Sequence, residues 1–348
     1  MFKDRVVYVS MPRYLYRVLA RILKWRQHYD LNPLAKLTHY VDEFIMALKL
    51  RGVTRSSITL YVFGSMSLFS FFMRLLGWKG TIIYDPLANY VQTLYLRSRI
   101  SMREILRYGL YLALHRLQLK CSNCVVYPSK LDLENAERMF NVRNTVVIPN
   151  PVPICFESHE EYEKLRALRR GDERPYFILL AGGRNKANEE AVKLTIDVFN
   201  KLPQDTFKLY ITGPWLDLKN LAENSSIELL GVIPQYELKR LLAVSDYGLS
   251  PIFSHAAGTF LKTLTYVTAG LDVIATPISL IGLSIKALRK RYGYSGKIYL
   301  IHDKEDYEKT LSELIFNKNY ERGRPTICHY LELELVNTVR ETGIFIGK

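Results

Sequence analysis

Short apolar runs alternate with longer stretches of helical spacing along most of the chain. Residues 5–10 (RVVYVS), 57–63 (SITLYVF), 80–84 (GTIIY), 124–127 (CVVY) and 145–148 (TVVI) read as buried strands. Residues 13–29, 67–78 and 101–120 read as helices, and another begins at Ser129. In the third, Ile105, Leu106, Leu110, Leu114 and Leu117 fall on one side. Strands that alternate with helices predict a parallel sheet covered on both faces.

Pro149, Pro151 and Pro153 then interrupt the pattern, since a proline neither continues a helix nor donates to a central strand. Residues 157–174 follow with eleven charges, which reads as a linker or a solvated helix. The alternation resumes with strands at 175–180, 207–212, 227–230, 247–250 and 272–276, and helices at 188–202, 235–245 and 259–269. The expected organisation is a first domain over 1–153, a connection over 154–174 and a second domain over 175–320. A last segment, 321–348, is expected to pack back on the first domain. The expected fold class is α/β, two doubly wound Rossmann-like domains facing a cleft.

Composition changes this picture little, but charge changes it a good deal. The 348 residues are 48% hydrophobic and 24% charged, ordinary for globular domains and too many for one core. The first 150 residues carry 22 Lys and Arg against 9 Asp and Glu, so nearly all of the net +14 sits there. That asymmetry points to an anionic partner: nucleic acid, acidic lipid or a phosphate-bearing substrate. Residues 13–29 concentrate it, with Arg13, Arg17 and Arg21 in one helical stripe among leucines and Trp25. They read either as a membrane-surface helix or as a domain helix with solvated arginines. Residues 69–79, rich in phenylalanine with Arg74 and Lys79, repeat that chemistry.

No zinc-finger spacing or aromatic RNA-binding motif accompanies the basic half, which argues against nucleic acid. The uncharged run 58–73 is too short and too rich in serine to span a bilayer. No secretory leader pattern opens the chain, and four cysteines are too few for a disulfide scaffold. Cys121 and Cys124 have no second pair and read as buried thiols rather than zinc ligands. Five glutamines beside 24 tyrosines fit a thermophilic source.

Three strand-to-helix turns in the second half stand where open α/β sheets bind ligands. In 181–186 (AGGRNK), Gly182 and Gly183 would let backbone N–H groups approach an anion, with Arg184 and Lys186 adding charge. The same Gly-Gly also reads as a plain turn. Residues 212–215 (TGPW) either line a cleft or reverse the chain. In 250–262 (SPIFSHAAGTFLK), Gly258 and Thr259 open a helix with Lys262 one turn in, an arrangement suited to a diphosphate; His255 reads as a surface loop residue. Neither G-x-G-x-x-G nor a Walker A pattern occurs.

The order of these segments resembles the retaining, family-four group of GT-B nucleotide-sugar glycosyltransferases. Ile148-Pro149-Asn150-Pro151-Val152 resembles the Ile-Pro-Asn-Gly-Val that closes the first domain there, with proline for glycine. Leu230-Gly231-Val232 with Glu237-Leu238 resembles the segment flanking the base, and Ser245-Asp246-Tyr247 the lead-in to the donor-site strand. Gly258, Lys262 and residues 269–276 (AGLDVIAT) resemble the block after it, and Ile281-Gly282-Leu283 follows as usual.

The resemblance covers roughly 124–283. It implies that the second domain grips a nucleotide-diphospho-sugar as donor substrate, with no other cofactor and no metal. Gly182, Gly183, Arg184 and Lys186 would approach the diphosphate from one side, and Gly258, Thr259 and Lys262 from the other. Backbone near Val232 and Ile233 would face the base. Two family glutamates correspond to Ala257 and Thr265, of which only the threonine keeps a hydroxyl for a ribose. The implied first domain supplies the acceptor site, where Asp85 reads either as a catalytic base or as a strand-ending turn. The expectation is a cytoplasmic transferase, attached peripherally to a membrane through Arg13, Arg17 and Arg21, with a lipid-linked or protein acceptor. The alternatives are a non-catalytic relative and a basic nucleic-acid-binding protein.

Overall fold

The computed structural model describes residues 5–9, 33–51, 58–64, 67–86, 102–150, 154–169, 171–254, 261–283, 285–316 and 323–328. The chain divides into two compact units between Pro149 and Asn150. The first contains β1 (Arg5–Val9), α1 (Pro33–Arg51), β2 (Ile58–Phe63), α2 (Phe69–Leu75), β3 (Ile82–Asp85), α3 (Met102–Cys121), β4 (Cys124–Tyr127), α4 (Lys130–Phe140) and β5 (Thr145–Val147). Its five strands are parallel and lie in chain order. The helix predicted over 13–29 lies outside the described residues, while α1 is a nineteen-residue helix that the apolar pattern did not signal.

The phenylalanine-rich stretch 69–79 is divided: part of it is core, while Leu75 and Lys79 stay exposed. Phe69, Met73 and Trp78 are buried with Leu60, Val62 and Tyr84. Arg74 is held by the carbonyls of Cys121, Trp78 and Gly80 at 2.7–3.0 Å and by Asn123 Oδ1. A guanidinium with its donors spent on carbonyls is a staple between loops, not a lipid anchor.

The helix expected over 101–120 is α3, which turns Tyr111, His115 and Gln118 inward and leaves Ile105, Leu106 and Leu110 exposed. His115 sits against Tyr84, Tyr111 and Phe140, and burial pushes its imidazole down to about 4, so it is neutral at pH 7.

The second unit contains α5 (His159–Arg166), β6 (Tyr176–Leu180), α6 (Lys186–Asn200), β7 (Lys208–Thr212), β8 (Ile227–Gly231), α7 (Gln235–Val244), β9 (Tyr247–Ser250), α8 (Leu261–Thr268), β10 (Asp272–Ala275), α9 (Ile285–Tyr292), β11 (Ile298–Leu300) and α10 (Lys304–Phe316). The charged stretch after the prolines forms α5, capped by Ser158 Oγ, which accepts from Glu161 N at 3.0 Å. Tyr162 of this helix is buried against Phe156, and Arg166 and Arg169 pair with the buried Asp246.

The sheet is parallel with the order β11-β10-β9-β6-β7-β8. Side chains alternate across it, so each face has its own core. Phe177, Leu179, Leu209, Ile211, Tyr247 and Leu249 bury on one side; Ile178, Val273 and Ala275 bury on the other.

β6 and β9 are the central pair, and the chain leaves them in opposite directions. They pair only at Phe177↔Tyr247 and Ile178↔Gly248. Beyond that point Tyr266 of α8 satisfies the separated backbones: its hydroxyl accepts from Leu180 N at 2.7 Å and donates to Leu249 O at 3.1 Å. The ring fits because residue 248 is glycine; a Cβ there would lie 2.2 Å from the Tyr266 ring. Tyr266→Phe leaves both groups buried and unpaired, an expected loss of about 1–3 kcal/mol in equilibrium denaturation.

Candidate functional site

In a sheet of this order, the carboxyl ends of the two central strands border a crevice, because their connections run to opposite sides. Here those ends are Ala181-Gly182-Gly183 after β6 and the loop after Ser250 of β9. Asn185 caps α6 through Oδ1, which accepts from Asn188 N at 2.9 Å. Asn188 then spends both ends of its amide. Nδ2 donates to Gly183 O at 2.8 Å, and Oδ1 accepts from Lys262 Nζ at 2.8 Å. The Gly-Gly turn and the start of α8 are thereby joined through one side chain.

Lys262 is half-buried and has no acidic partner among the described residues. Burial lowers its ammonium to about 8. A positive charge therefore stands at the crevice, answered among the described residues by an amide oxygen. Gly182 and Gly183 have room beside them: a Cβ on Gly182 would meet nothing within 4 Å, and one on Gly183 nothing closer than 3.6 Å. Neither packing nor backbone conformation in the chain itself requires them to be glycine, which suits a turn that a ligand approaches.

Arg184 turns the other way. Its guanidinium lies 5.3 Å from the Trp215 ring centre, donates to Pro214 O at 2.8 Å and pairs with Asp217. It clamps the neighbouring turn, which is already tight: Trp215 Nε1 donates to Ala181 O at 2.6 Å. A Cβ on Gly213, whose φ is +117°, would lie 2.1 Å from that same oxygen. Lys186 points to solvent, 3.6 Å from Glu190 on its own helix.

Val232 is exposed and Ile233 partly buried, both just past the carboxyl end of β8. Thr265 is buried, and its hydroxyl donates to Leu261 O at 2.8 Å. Gly258, Thr259, His255 and Ala257 lie outside the described residues. Asp85 belongs to the first unit, at the carboxyl end of β3, where Oδ2 accepts from Tyr61 at 2.7 Å.

The structure thus joins Gly183 and Lys262, and directs Arg184 and Lys186 elsewhere. The reading of the sequence missed Asn188, Trp215 and Tyr266. Only Asn188 left a trace, as the second of two asparagines three apart at a helix start. Behind the site, Ser279 Oγ donates to Ser250 O and Thr276 Oγ1 donates to Ile252 O, both at 2.6 Å, which holds the turns after β9 and β10 together.

Residues 176–317 match the family model of the glycosyl transferases group 1. They form a glycosyltransferase group 1 domain. The match begins at β6, ends just past α10, and contains Gly182, Asn188 and Lys262. No curated protein sequence matches the chain.

Solved glycosyltransferase structures share its architecture. WaaG, a glycosyltransferase involved in lipopolysaccharide biosynthesis, matches with a TM-score of 0.63 at 14% identity, over 99% of this chain and 91% of its own. The sucrose-phosphate synthase of Thermosynechococcus elongatus gives 0.59 at 12% identity, over 88% and 74%. An E. coli trehalose-6-phosphate structure bound with UDP-2-fluoro glucose gives 0.55 at 12%, over 96% and 80%. The fold is GT-B, with one parallel sheet in each unit.

Proposed function

We propose that the glycosyltransferase uses a nucleotide-diphospho-sugar, bound across the carboxyl ends of β6 and β9. The observation that carries this is Lys262, a half-buried cation with no carboxylate partner among the described residues, tied through Asn188 to an open Gly-Gly turn. The leaving nucleoside diphosphate gains negative charge in the transition state. Lys262, the N–H groups at the start of α6 and, by resemblance, Gly258 and Thr259 would meet that charge without a metal. The backbone near Val232 and Ile233 would face the base. Retention fits this arrangement, because the leaving phosphate can take the acceptor proton, and Asp85 is then a positioning group rather than an obligatory base. The acceptor reading is a lipid-linked or protein hydroxyl presented at a cytoplasmic membrane surface.

A second reading, a nucleotide binder without turnover, draws on Thr265. Where the related group has a carboxylate, this hydroxyl is spent on its own helix.

Thermal unfolding against a panel of nucleoside diphosphates and nucleotide sugars tests both, with the uridine nucleotides first. A ligand at a hundred times its dissociation constant raises stability by about 2.7 kcal/mol. A strong shift with one base names the nucleotide, and release of free nucleoside diphosphate from its sugar ester separates enzyme from binder. A flat panel with a folded protein defeats both.

A further inference from the structure

Asn188 stands between the Gly-Gly turn and Lys262, and an amide at that place acts on both. It is buried in the first turn of α6, 9% exposed, and its own N–H is taken by Asn185 Oδ1 at 2.9 Å. The two ends of the amide are told apart by their partners, since an ammonium only donates and a carbonyl only accepts. Oδ1 therefore faces Lys262 Nζ and Nδ2 faces Gly183 O, each at 2.8 Å.

Each end answers a different need of an anion site. At Lys262, the amide oxygen fixes the ammonium and leaves its charge uncancelled. A carboxylate of the same shape would fix it and neutralise it. An apolar side chain would leave it charged but free to turn to solvent. The acids that follow on α6 are engaged along the helix, Glu189 with Lys193 and Glu190 with Lys186. Burial alone accounts for the lowered ammonium, with no charged group contributing among the described residues.

At Gly183, the carbonyl accepts from Asn185 N at 3.0 Å as well as from Asn188 Nδ2. A carbonyl oxygen has two lone pairs, and both are engaged here inside the turn. A bare carbonyl oxygen beside the crevice would repel a phosphate; this one is bound into the start of α6.

We propose that Asn188 is a positioning residue for the diphosphate: it presents the Lys262 ammonium with its charge uncancelled and withholds the Gly183 carbonyl from the anion. This role rests on the donor reading of the site. It adds that an amide, and not a carboxylate, is required at position 188.

The test compares the full chain with Asn188→Asp and Asn188→Ala. Binding of uridine, guanosine and adenosine diphosphate is measured by titration calorimetry at pH 7. The titration of Lys262 is followed without nucleotide, from the pH dependence of its acetylation by dilute acetic anhydride, read on the Lys262 peptide by mass spectrometry. Asn188→Asp is expected to weaken the diphosphate that binds the parent best by roughly a hundredfold or more, because the aspartate answers the charge first. Its Lys262 midpoint is expected to rise from about 8 to roughly 9 or above, since a carboxylate in contact favours the ammonium. Asn188→Ala removes the bond to the charged form, so its midpoint is expected to fall below that of the parent while binding weakens roughly tenfold. A merely structural role would weaken both variants alike and leave the midpoint in place. An unmoved midpoint in Asn188→Asp, or parent-like affinity, overturns the proposal. Should that variant melt below the assay temperature, a midpoint in Asn188→Ala at or above the parent's overturns it instead. A parent that binds none of the three diphosphates overturns the donor reading and this role with it, whereas a parent that binds while the midpoint stays fixed overturns this role alone.

Discussion

Lys262→Met is expected to abolish nucleotide-dependent stabilisation and to lower sugar transfer by roughly a hundred- to a thousandfold, the usual cost of removing one charge-stabilising donor. The same change is expected to make the unliganded protein more stable. These opposite signs follow from one observation. The ammonium is half-buried, held by Asn188 Oδ1 at 2.8 Å, and its pKa is lowered to about 8 because burial disfavours the charge. Without a ligand that charge is a cost, and on the proposed donor reading a diphosphate would turn it into binding energy. Sites of this kind trade stability for function. Melting curves of parent and variant, each with and without nucleoside diphosphate, read both effects at once. A variant that melts like the parent and still responds to nucleotide would remove Lys262 from the site.

The pH dependence has a definite sign. In the unfolded chain a lysine titrates near 10.4; in the fold this one titrates near 8. Between those values the unfolded state holds more protons, so stability rises with pH across that window. Nucleotide affinity moves the other way, falling as pH rises through 8 and the free site loses its charge. Lys262→Arg, which stays protonated, should flatten the affinity profile while keeping part of the binding.

Much of this was legible in the sequence, for a physical reason. Parallel strands buried on both faces need unbroken apolar runs, and YFILL at β6 and DVIA at β10 stand out against their flanks. The run at β6 fixes its carboxyl end and with it the Gly-Gly turn, while Lys262 could be placed by the strand ending at Ser250 and the helix that follows it. Arg184 could not. A guanidinium beside a glycine turn reads as an anion ligand, but whether it meets a phosphate or Asp217 depends on how the next loop folds. Asn188 and Tyr266 were equally hidden, since an amide and a phenol show no pattern until the groups they bridge are in place. Periodicity placed Ile105, Leu106 and Leu110 on one side of α3 but could not say which side turns inward; the helix buries Tyr111, His115 and Gln118.

Reductant is expected to lower the melting temperature of the second unit by roughly 10 °C. Cys155 and Cys328 form a disulfide across a sequence separation of 173 residues, which encloses the whole glycosyltransferase group 1 domain. Nothing in the spacing of four cysteines announced that pair. What brings the two together is backbone: Phe156 bridges Ile327, Cys328 N donates to Phe156 O at 2.8 Å, and Thr326 N donates to Thr268 O at 2.7 Å. Residue 270 is glycine because the returning chain passes over it, 2.6 Å from where its Cβ would stand. A bond closing so long a loop removes much freedom from the unfolded chain, worth about 5 kcal/mol in the chain-entropy account. In a domain of this size each kcal/mol moves the midpoint by roughly 2–4 °C. Cys155→Ser, Cys328→Ser and the double variant should therefore melt alike, and like the reduced parent, because each removes the same bond. Identical melting with and without reductant, or a free thiol at either position in the oxidised protein, would refute the pairing. A reducing cytoplasm would keep such a pair open, whereas intracellular proteins of hyperthermophiles do carry disulfides. Retention of the bond in protein isolated from its own source under alkylating conditions would therefore support the thermophilic reading that the scarcity of glutamine first suggested.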